Sequence, residues 1–231
     1  MIPLKDTIPS RTFPAVNITL VVINCLVFLY ELALGPGLSP FIERYGIVPV
    51  RFFNAGMISD MIAPLFSFMF LHGGWLHIIS NMWVLFIFGD NVEDRMGSVP
   101  YFIFYMTCGV VSGLTQTFIA PNSPVPAIGA SGAIAGVLAA YMIFYPRARV
   151  VTLVPLIIIP WFINIPSVIF IFIWFLLQFF SGVATLGVAT SGGVAYWAHV
   201  GGFICGLLLV WLYFGRLKNR STTYPDEYHP W

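Results

Sequence analysis

Charged residues are scarce in this chain of 231 residues, at 8% of the sequence. Soluble domains usually carry about 25% charged residues. Here 59% of the residues are hydrophobic and the mean hydropathy is +0.91. The net charge is only +1, so no basic surface for nucleic acid is available and neither nucleic acid nor nucleotide is expected as a partner. This composition excludes a water-soluble globule and a disordered chain, and it predicts an integral protein of the lipid bilayer.

Cysteine is also rare. Cys25, Cys108 and Cys205 all lie in apolar stretches, where cysteine commonly behaves as a small hydrophobic residue. We therefore expect neither a disulfide framework nor a cysteine-rich metal site. Histidines could in principle bind zinc, but the sequence has no His-Glu-x-x-His motif, so neither a metal nor another cofactor is expected.

Four stretches contain no Asp, Glu, Lys or Arg at all, and they hold 19, 29, 51 and 66 residues. A helix that spans a bilayer needs about 20 apolar residues. The first two stretches therefore accommodate one helix each and the last two accommodate two each. The sequence predicts an all-α polytopic membrane protein, a bundle of six transmembrane helices. The expected spans are 13–33, 75–91, 99–119, 131–146, 165–182 and 195–215.

The positions of Lys and Arg predict the orientation of the bundle. With the N-terminus inside, the inner segments hold eight of these residues and the outer segments hold two. Both termini are therefore expected in the cytoplasm. The first span could be a cleaved signal peptide, but an uncleaved anchor is preferred because its removal would invert the logic of this charge count. The expected organisation is a cytoplasmic N-terminal segment over 1–12, a six-span domain over 13–215 and a cytoplasmic tail over 216–231.

Two apolar segments do not fit the pattern of simple spans. The first outer loop, about 35–74, is too apolar for a solvated loop, so we expect it in the membrane interface and packed on the helices. The stretch from Val151 to Ile165 contains Pro155 and Pro160. It is expected to be interfacial or to extend the fifth span.

Polar groups inside a bilayer are costly, so each is a candidate functional residue. Ser131 follows a Pro-containing loop and stands near a helix N-terminus, where it could also be a helix cap. His199 lies on one face with Gly202 and Gly206, and it could equally make an ordinary hydrogen bond between helices. The small residues would allow a neighbouring helix to come close to the imidazole.

Ser131 and His199 together point to nucleophilic catalysis, because a serine hydroxyl needs an adjacent base to take its proton. No Asp or Glu lies in the charge-free stretches to complete a triad, so such an enzyme would use a Ser–His dyad. His77 and Asn81 are four residues apart and share a helix face. They could stabilise an oxyanion, or they could form hydrogen bonds between helices.

The motifs resemble those of the rhomboid family of intramembrane serine proteases, in the same order and on corresponding spans. The resemblance extends from about Phe13 to Gly215. The matching pieces are Leu71-His72-Gly73-Gly74-Trp75-Leu76-His77 through Asn81, then Glu93-Asp94-Arg95-Met96-Gly97, Gly129-Ala130-Ser131-Gly132, and Ala198-His199 with Gly202 and Gly206.

The resemblance implies an intramembrane serine endopeptidase that cuts single-span membrane proteins near the outer side of the bilayer. Ser131 would be the nucleophile and His199 its general base and acid. His77, Asn81 and the Ser131 backbone N–H would form the oxyanion hole. Gly129 would keep the approach to the serine open, with Gly132, Gly202 and Gly206 in supporting positions. His72, Glu93 and Arg95 would have structural roles.

The chain departs from the family pattern in two places. Many members carry Trp-Arg in the first loop, where this chain has Ala63-Pro64. Some members carry a Tyr four residues after the nucleophile that packs on the histidine, and here that residue is Ala135. Trp197 and Tyr196 are candidates to supply this packing.

Access of a substrate to the serine is expected to depend on a loop and a helix that can move. The uncharged loop 181–193 is expected to be a mobile cap and the fifth span a gate, so cross-linking either to its neighbour should slow cleavage.

The alternative to a protease is a catalytically silent relative that binds membrane helices. A transporter or channel would need polar residues on several spans or repeated halves, and the sequence has neither. The short N-terminal segment favours a prokaryotic plasma membrane.

Overall fold

The computed structural model describes residues 1–54, 56–57, 59–156, 159–186 and 193–217. Within these ranges, helices dominate and one small sheet lies at an end of the bundle. The helices are α1 (Ala15–Ala33), α2 (Leu38–Tyr45), α3 (Pro49–Phe53), α4 (Ser59–Ser67), α5 (Trp75–Met96), α6 (Ser98–Ile119), α7 (Ser131–Phe144), α8 (Ser167–Ala184) and α9 (Tyr196–Leu217), and the strands are β1 (Ile2–Asp6), β2 (Arg149–Leu156) and β3 (Ile159–Pro166).

A helix occupies each of the six expected positions, as α1 and α5 to α9. Three of them, α1, α6 and α8, are long and apolar enough to cross a membrane. A fourth span is obtained if Asp60–Phe70 and Trp75–Met96 count as one, although these two pieces are bent by 80°. Helix α7 and the 196–212 part of α9 are shorter apolar helices. The chain is therefore a helical membrane protein with three or four candidate spans among the described residues.

Helix α7 lies at the centre of the bundle, packed on α5, α6 and α9. Its 14 residues extend over about 21 Å, less than the roughly 30 Å hydrocarbon core of a bilayer. Eleven of these residues are buried, and most of them are Ala, Gly or other apolar residues. The small side chains let three neighbours approach closely. The core is therefore built around the helix that begins at Ser131.

The described residues of the stretch Val151–Ile165 form two antiparallel strands, so the expectation that it extends the fifth span is wrong, while its expected position in the membrane interface stays a prediction. Strands β2 and β3 pair antiparallel from Arg149↔Pro166 to Leu156↔Ile159, and β1 adds to β2 as the third strand. The segment is rich in β-branched and aromatic residues, which favour strands. The chain is mostly helical but not all-α.

The two prolines of these two strands occupy positions that a sheet tolerates. Pro155 and Pro160 stand opposite each other, and β1 pairs with β2 only as far as Leu153. Proline lacks the backbone N–H that a central strand needs. Both prolines therefore lie where the third strand does not reach.

The first loop folds into short helices that pack on the bundle. Helix α4 contacts α6, and Ser67 at its end donates a hydrogen bond to the Tyr45 carbonyl at 2.6 Å. Ala63 and Pro64 lie inside α4, with Pro64 in the helix interior. The loop is thus anchored by helix packing and a side-chain hydrogen bond.

Glu93 joins the ends of three helices. Its buried carboxylate accepts hydrogen bonds from the backbone N–H groups of Val16 and Asn17 at 3.1 and 2.7 Å, at the start of α1. It also accepts one from the Ser98 hydroxyl at the start of α6, at 2.6 Å. Helix N-termini have unpaired N–H groups and favour negative charge. Glu93 therefore has the structural role that the resemblance implies.

Strand β1 is connected to α7 by Asp6. The Asp6 carboxylate accepts hydrogen bonds from the Tyr141 hydroxyl of α7 and from Asn91 Nδ2 of α5. Burial raises the pKa of Asp6 from 3.8 to about 7, and the nearby Asp90 carboxylate adds to the increase, while the Tyr141 hydrogen bond opposes it. The carboxyl of Asp6 thus holds its proton more tightly in the folded than in the unfolded chain.

Asp6 should make the stability of the protein depend on pH. Because its folded pKa is raised, the stabilisation is fully present below pH 3.8 and is lost as the pH rises through about 7. We expect the thermal midpoint of the wild type in detergent, measured relative to Asp6→Asn, to fall across this window. A difference between the two proteins that does not change with pH would contradict the assignment.

Candidate functional site

Ser131 and His199 meet at the buried interface between α7 and α9. Ser131 is the first residue of α7, and His199 is the fourth residue of α9. The Ser131 Oγ lies 2.7 Å from the His199 Nε2, although 68 positions separate the two residues in the chain. His199 is only 8% exposed. The arrangement places a serine hydroxyl against an imidazole inside an apolar bundle.

Glycines bring these two helices together. A Cβ on Gly202 would lie 1.9 Å from the Gly132 carbonyl oxygen, and a Cβ on Gly206 would lie 2.6 Å from the Gly136 carbonyl oxygen. Real Cβ atoms do not come so close to backbone. The two backbones therefore touch directly along successive turns, and this contact sets the spacing between Ser131 and His199.

The second ring nitrogen of His199 has a partner that the sequence interpretation missed. Gln178 on α8 places its amide Oε1 2.7 Å from the His199 Nδ1. The charge-free stretches contain no Asp or Glu, and a neutral amide partner for the imidazole was not predicted. One signal was present, because Gln178 is the one amide side chain in α8, among mostly apolar residues.

The residue that packs on the His199 ring is Trp174. The two ring centroids are 5.9 Å apart and the rings are inclined by 32°. Trp197 packs on Phe179 at a centroid distance of 6.0 Å, so Trp174 rather than Trp197 has the expected role. Ala135 is small and buried and has no ring to pack on the imidazole. The indole of Trp174 on α8 packs there instead.

His77 and Asn81 approach the same point of the loop before α7. If Gly129 carried a Cβ, it would lie 2.6 Å from the His77 Nε2 and 3.7 Å from the Asn81 Nδ2. Gly129 has φ +123°, a conformation that side chains rarely adopt. Glycine is thus required here both for the backbone and for the space around the two polar groups.

These two polar groups are oriented as hydrogen-bond donors. The Gly73 N–H donates to the His77 Nδ1 at 3.4 Å, which leaves the Nε2 to hold the ring proton. The Asn81 Nδ2 is buried and has no hydrogen-bond partner within the described part of the chain. Two donors therefore lie beside Gly129, two residues before Ser131.

His72 lies behind His77. Its backbone N–H donates to the Glu31 carboxylate at 3.2 Å, and its ring meets the His77 ring edge-on at 5.1 Å between centroids. This agrees with a structural role. Over the described ranges, no group of three or more His, Cys, Asp or Glu side chains is placed to hold a metal ion.

The expected access route consists of α8 as the gate and the loop 181–193 as the cap. Helix α8 exposes a broad apolar face that includes Ile169, Phe172 and Leu177. Of the expected cap at 181–193, the first residues end α8, while 187–192 lie outside the described residues.

Widening the contact between α7 and α9 should destabilise the protein. Gly202→Ala would push a methyl group into the Gly132 carbonyl. Such overpacking typically costs about 1–3 kcal/mol. We expect a clearly lower thermal midpoint in detergent. Gly37→Ala is the matched control, since its Cβ would meet nothing closer than 4.0 Å. Equal midpoints for the two variants would contradict the close backbone contact.

Comparison with known proteins identifies one protein family. The family model described as the rhomboid domain matches residues 59–216. The chain is 28% identical over 148 residues to "Rhomboid-like protein 11, chloroplastic" of Arabidopsis thaliana, a match that covers 62% of this chain and 49% of that protein. It is 27% identical over 173 residues to the human "Presenilin-associated rhomboid-like protein, mitochondrial", covering 70% and 41%.

A third relative is "Rhomboid protein 1, mitochondrial" of Saccharomyces cerevisiae, 26% identical over 197 residues, covering 82% of this chain and 50% of that protein. The matches thus span half or less of the length of these relatives. Their names place them in chloroplasts and mitochondria, which does not fit the prokaryotic plasma membrane expected from the sequence. The expected membrane character is confirmed, because three described helices are long and apolar enough to cross a membrane. From the helical membrane fold and the match over 59–216, this chain belongs to the rhomboid family.

Proposed function

We propose that the chain is an intramembrane serine endopeptidase with Ser131 as nucleophile and His199 as general base and acid. Its substrates would be single-span membrane proteins, cut near the outer side of the bilayer. The observation that carries the proposal is the 2.7 Å contact between the Ser131 Oγ and the His199 Nε2 in a partly buried site. An ordinary helix cap would not require an imidazole at that distance.

The chemistry follows from the arrangement of the two side chains. Ser131 Oγ attacks the scissile carbonyl carbon while its proton passes to the His199 Nε2. The protonated imidazole then gives this proton to the leaving amine, and an acyl-enzyme remains on Ser131. Water, deprotonated by the same nitrogen, attacks the acyl carbon and restores the serine.

The negative charge of the tetrahedral intermediate needs donors near Ser131. The Asn81 Nδ2 has no partner within the described residues, although a buried donor is normally paired. The His77 Nε2 approaches the same loop position. Both donors, with the backbone N–H of Ser131, are suited to the developing oxyanion. Their position beside Gly129, two residues before Ser131, supports the oxyanion role.

The proposed topology has six spans over 13–215 with both termini in the cytoplasm, and tail 216–231 follows. Because α7 is short and central, Ser131 would lie below the outer membrane surface. The polar side chains of the site would line a water-filled depression above it. Movement of α8 would admit a substrate helix from the lipid.

The dyad is tested with protein reconstituted in liposomes and a fluorogenic single-span substrate. We expect cleavage by the wild type and no cleavage by Ser131→Ala or His199→Ala. Ser167→Ala is the matched control, because Ser167 is also buried, donates to the Tyr145 carbonyl at the other end of α7 and is expected to leave activity intact.

The outcomes separate the alternatives. Equal activity in all four proteins would mean that another site or a contaminant cleaves the substrate. If the wild type neither cleaves nor reacts with a fluorophosphonate, the chain is a silent member of the family that binds membrane helices.

Asn81 provides a second test. Removing one oxyanion donor typically lowers kcat by about 10²–10³-fold. We expect Asn81→Ala to lose kcat to this extent with a smaller change in KM. Asn24→Ala is the control, since it removes a buried amide from α1 far along the chain from the site. An unchanged kcat in Asn81→Ala would rule out the oxyanion role.

A further inference from the structure

Both ring nitrogens of His199 are engaged, and by different helices. The Nε2 faces the Ser131 hydroxyl on α7, and the Nδ1 faces the Gln178 amide oxygen on α8, each at 2.7 Å. His199 thus links three helices at one buried point. In the proposed dyad, only the first of these contacts has a role.

The Gln178 contact determines which ring nitrogen of His199 carries the proton. An amide oxygen can only accept a hydrogen bond, so the proton between the two groups belongs to the His199 Nδ1. The neutral ring then has its lone pair on the Nε2, facing Ser131. This is the tautomer in which imidazole can take the serine proton.

The choice of an amide suits the depth of the site. A carboxylate at membrane depth would be costly, whereas a glutamine side chain presents a carbonyl dipole without a charge. When His199 gains its second proton during the reaction, the bond from the Nδ1 becomes charge-assisted and therefore stronger. Gln178 would thus favour the charged form that exists only during catalysis.

Trp174 supports the same ring from one turn earlier on α8. Its ring centroid lies 5.9 Å from that of His199, within the range at which an aromatic face attracts a cation. Trp174 and Gln178 are four residues apart and so share a helix face. The opposite side of α8 exposes apolar residues such as Ile169 and Phe172. One face of α8 therefore serves the imidazole.

We propose that Gln178 is a positioning residue that orients His199 and fixes its tautomer, so that α8 completes the site only when it is packed against α9. This inference rests on the proposed Ser–His chemistry. Any movement of α8 that admits a substrate helix would break the contact between Gln178 and His199. Return of α8 would restore a base ready for the reaction.

The test uses the full-length protein in detergent and a small fluorophosphonate, which reads the dyad without a substrate helix. The reaction forms a bond between Ser131 Oγ and phosphorus, breaks the P–F bond with release of fluoride, and passes the hydroxyl proton to the His199 Nε2. We expect Gln178→Met, which keeps length but removes the acceptor, to react about tenfold more slowly than the wild type.

Gln178→Glu should restore the rate of labelling to near that of the wild type, because either form of the carboxyl group keeps an oxygen acceptor at this place. Gln116→Met is the control, since it makes the same change on α6 and should leave the rate unchanged. Thermal midpoints of all variants are measured in parallel to identify loss of folding.

A spectroscopic measurement separates positioning from packing. With ¹⁵N-labelled histidine, the Nδ1-bound proton of His199, assigned by its absence in His199→Ala, should move upfield and exchange faster with water in Gln178→Met. The same labelling rate and an unchanged resonance in Gln178→Met would overturn the inference. Absence of labelling in the wild type would instead refute the proposed function.

Discussion

The direct contact between the backbones of α7 and α9 is the constraint on which the site depends. Gly132 and Gly136 on one helix meet Gly202 and Gly206 on the other, with no room for a Cβ. At this separation, the first residue of α7 and the first turn of α9 place a hydroxyl and an imidazole in hydrogen-bond contact. A wider spacing would leave two polar groups unpaired in an apolar environment, which is itself costly.

The remaining polar groups are arranged around that contact. Glu93 fixes the starts of α1 and α6 relative to α5, and Asp6 connects the sheet to the far end of α7. On the opposite end of α7, Asn81 and His77 face the loop that contains Gly129. The Asn81 Nδ2 is buried beside this loop and has no hydrogen-bond partner among the described residues.

The positions of the helices could be predicted from the sequence because uninterrupted apolar runs of sufficient length have few alternatives. Ser131, His199, His77 and Asn81 could be selected because each is polar in an apolar run. Strands β2 and β3 could not be predicted, since a short apolar segment rich in β-branched residues looks the same for a buried strand and for a membrane segment. Gln178 and Trp174 were missed because a contact between α8 and α9 depends on helix rotation, which spacing within one helix does not reveal.

The central claim is that the Ser131 hydroxyl is activated by His199. The most direct measurement is mass-spectrometric mapping of the adduct formed by a fluorophosphonate on the wild type and on His199→Ala. We expect the fluorophosphonate to modify one residue, Ser131, in the wild type and none in the variant. An adduct at another residue, or equal modification of Ser131 in both proteins, would contradict it.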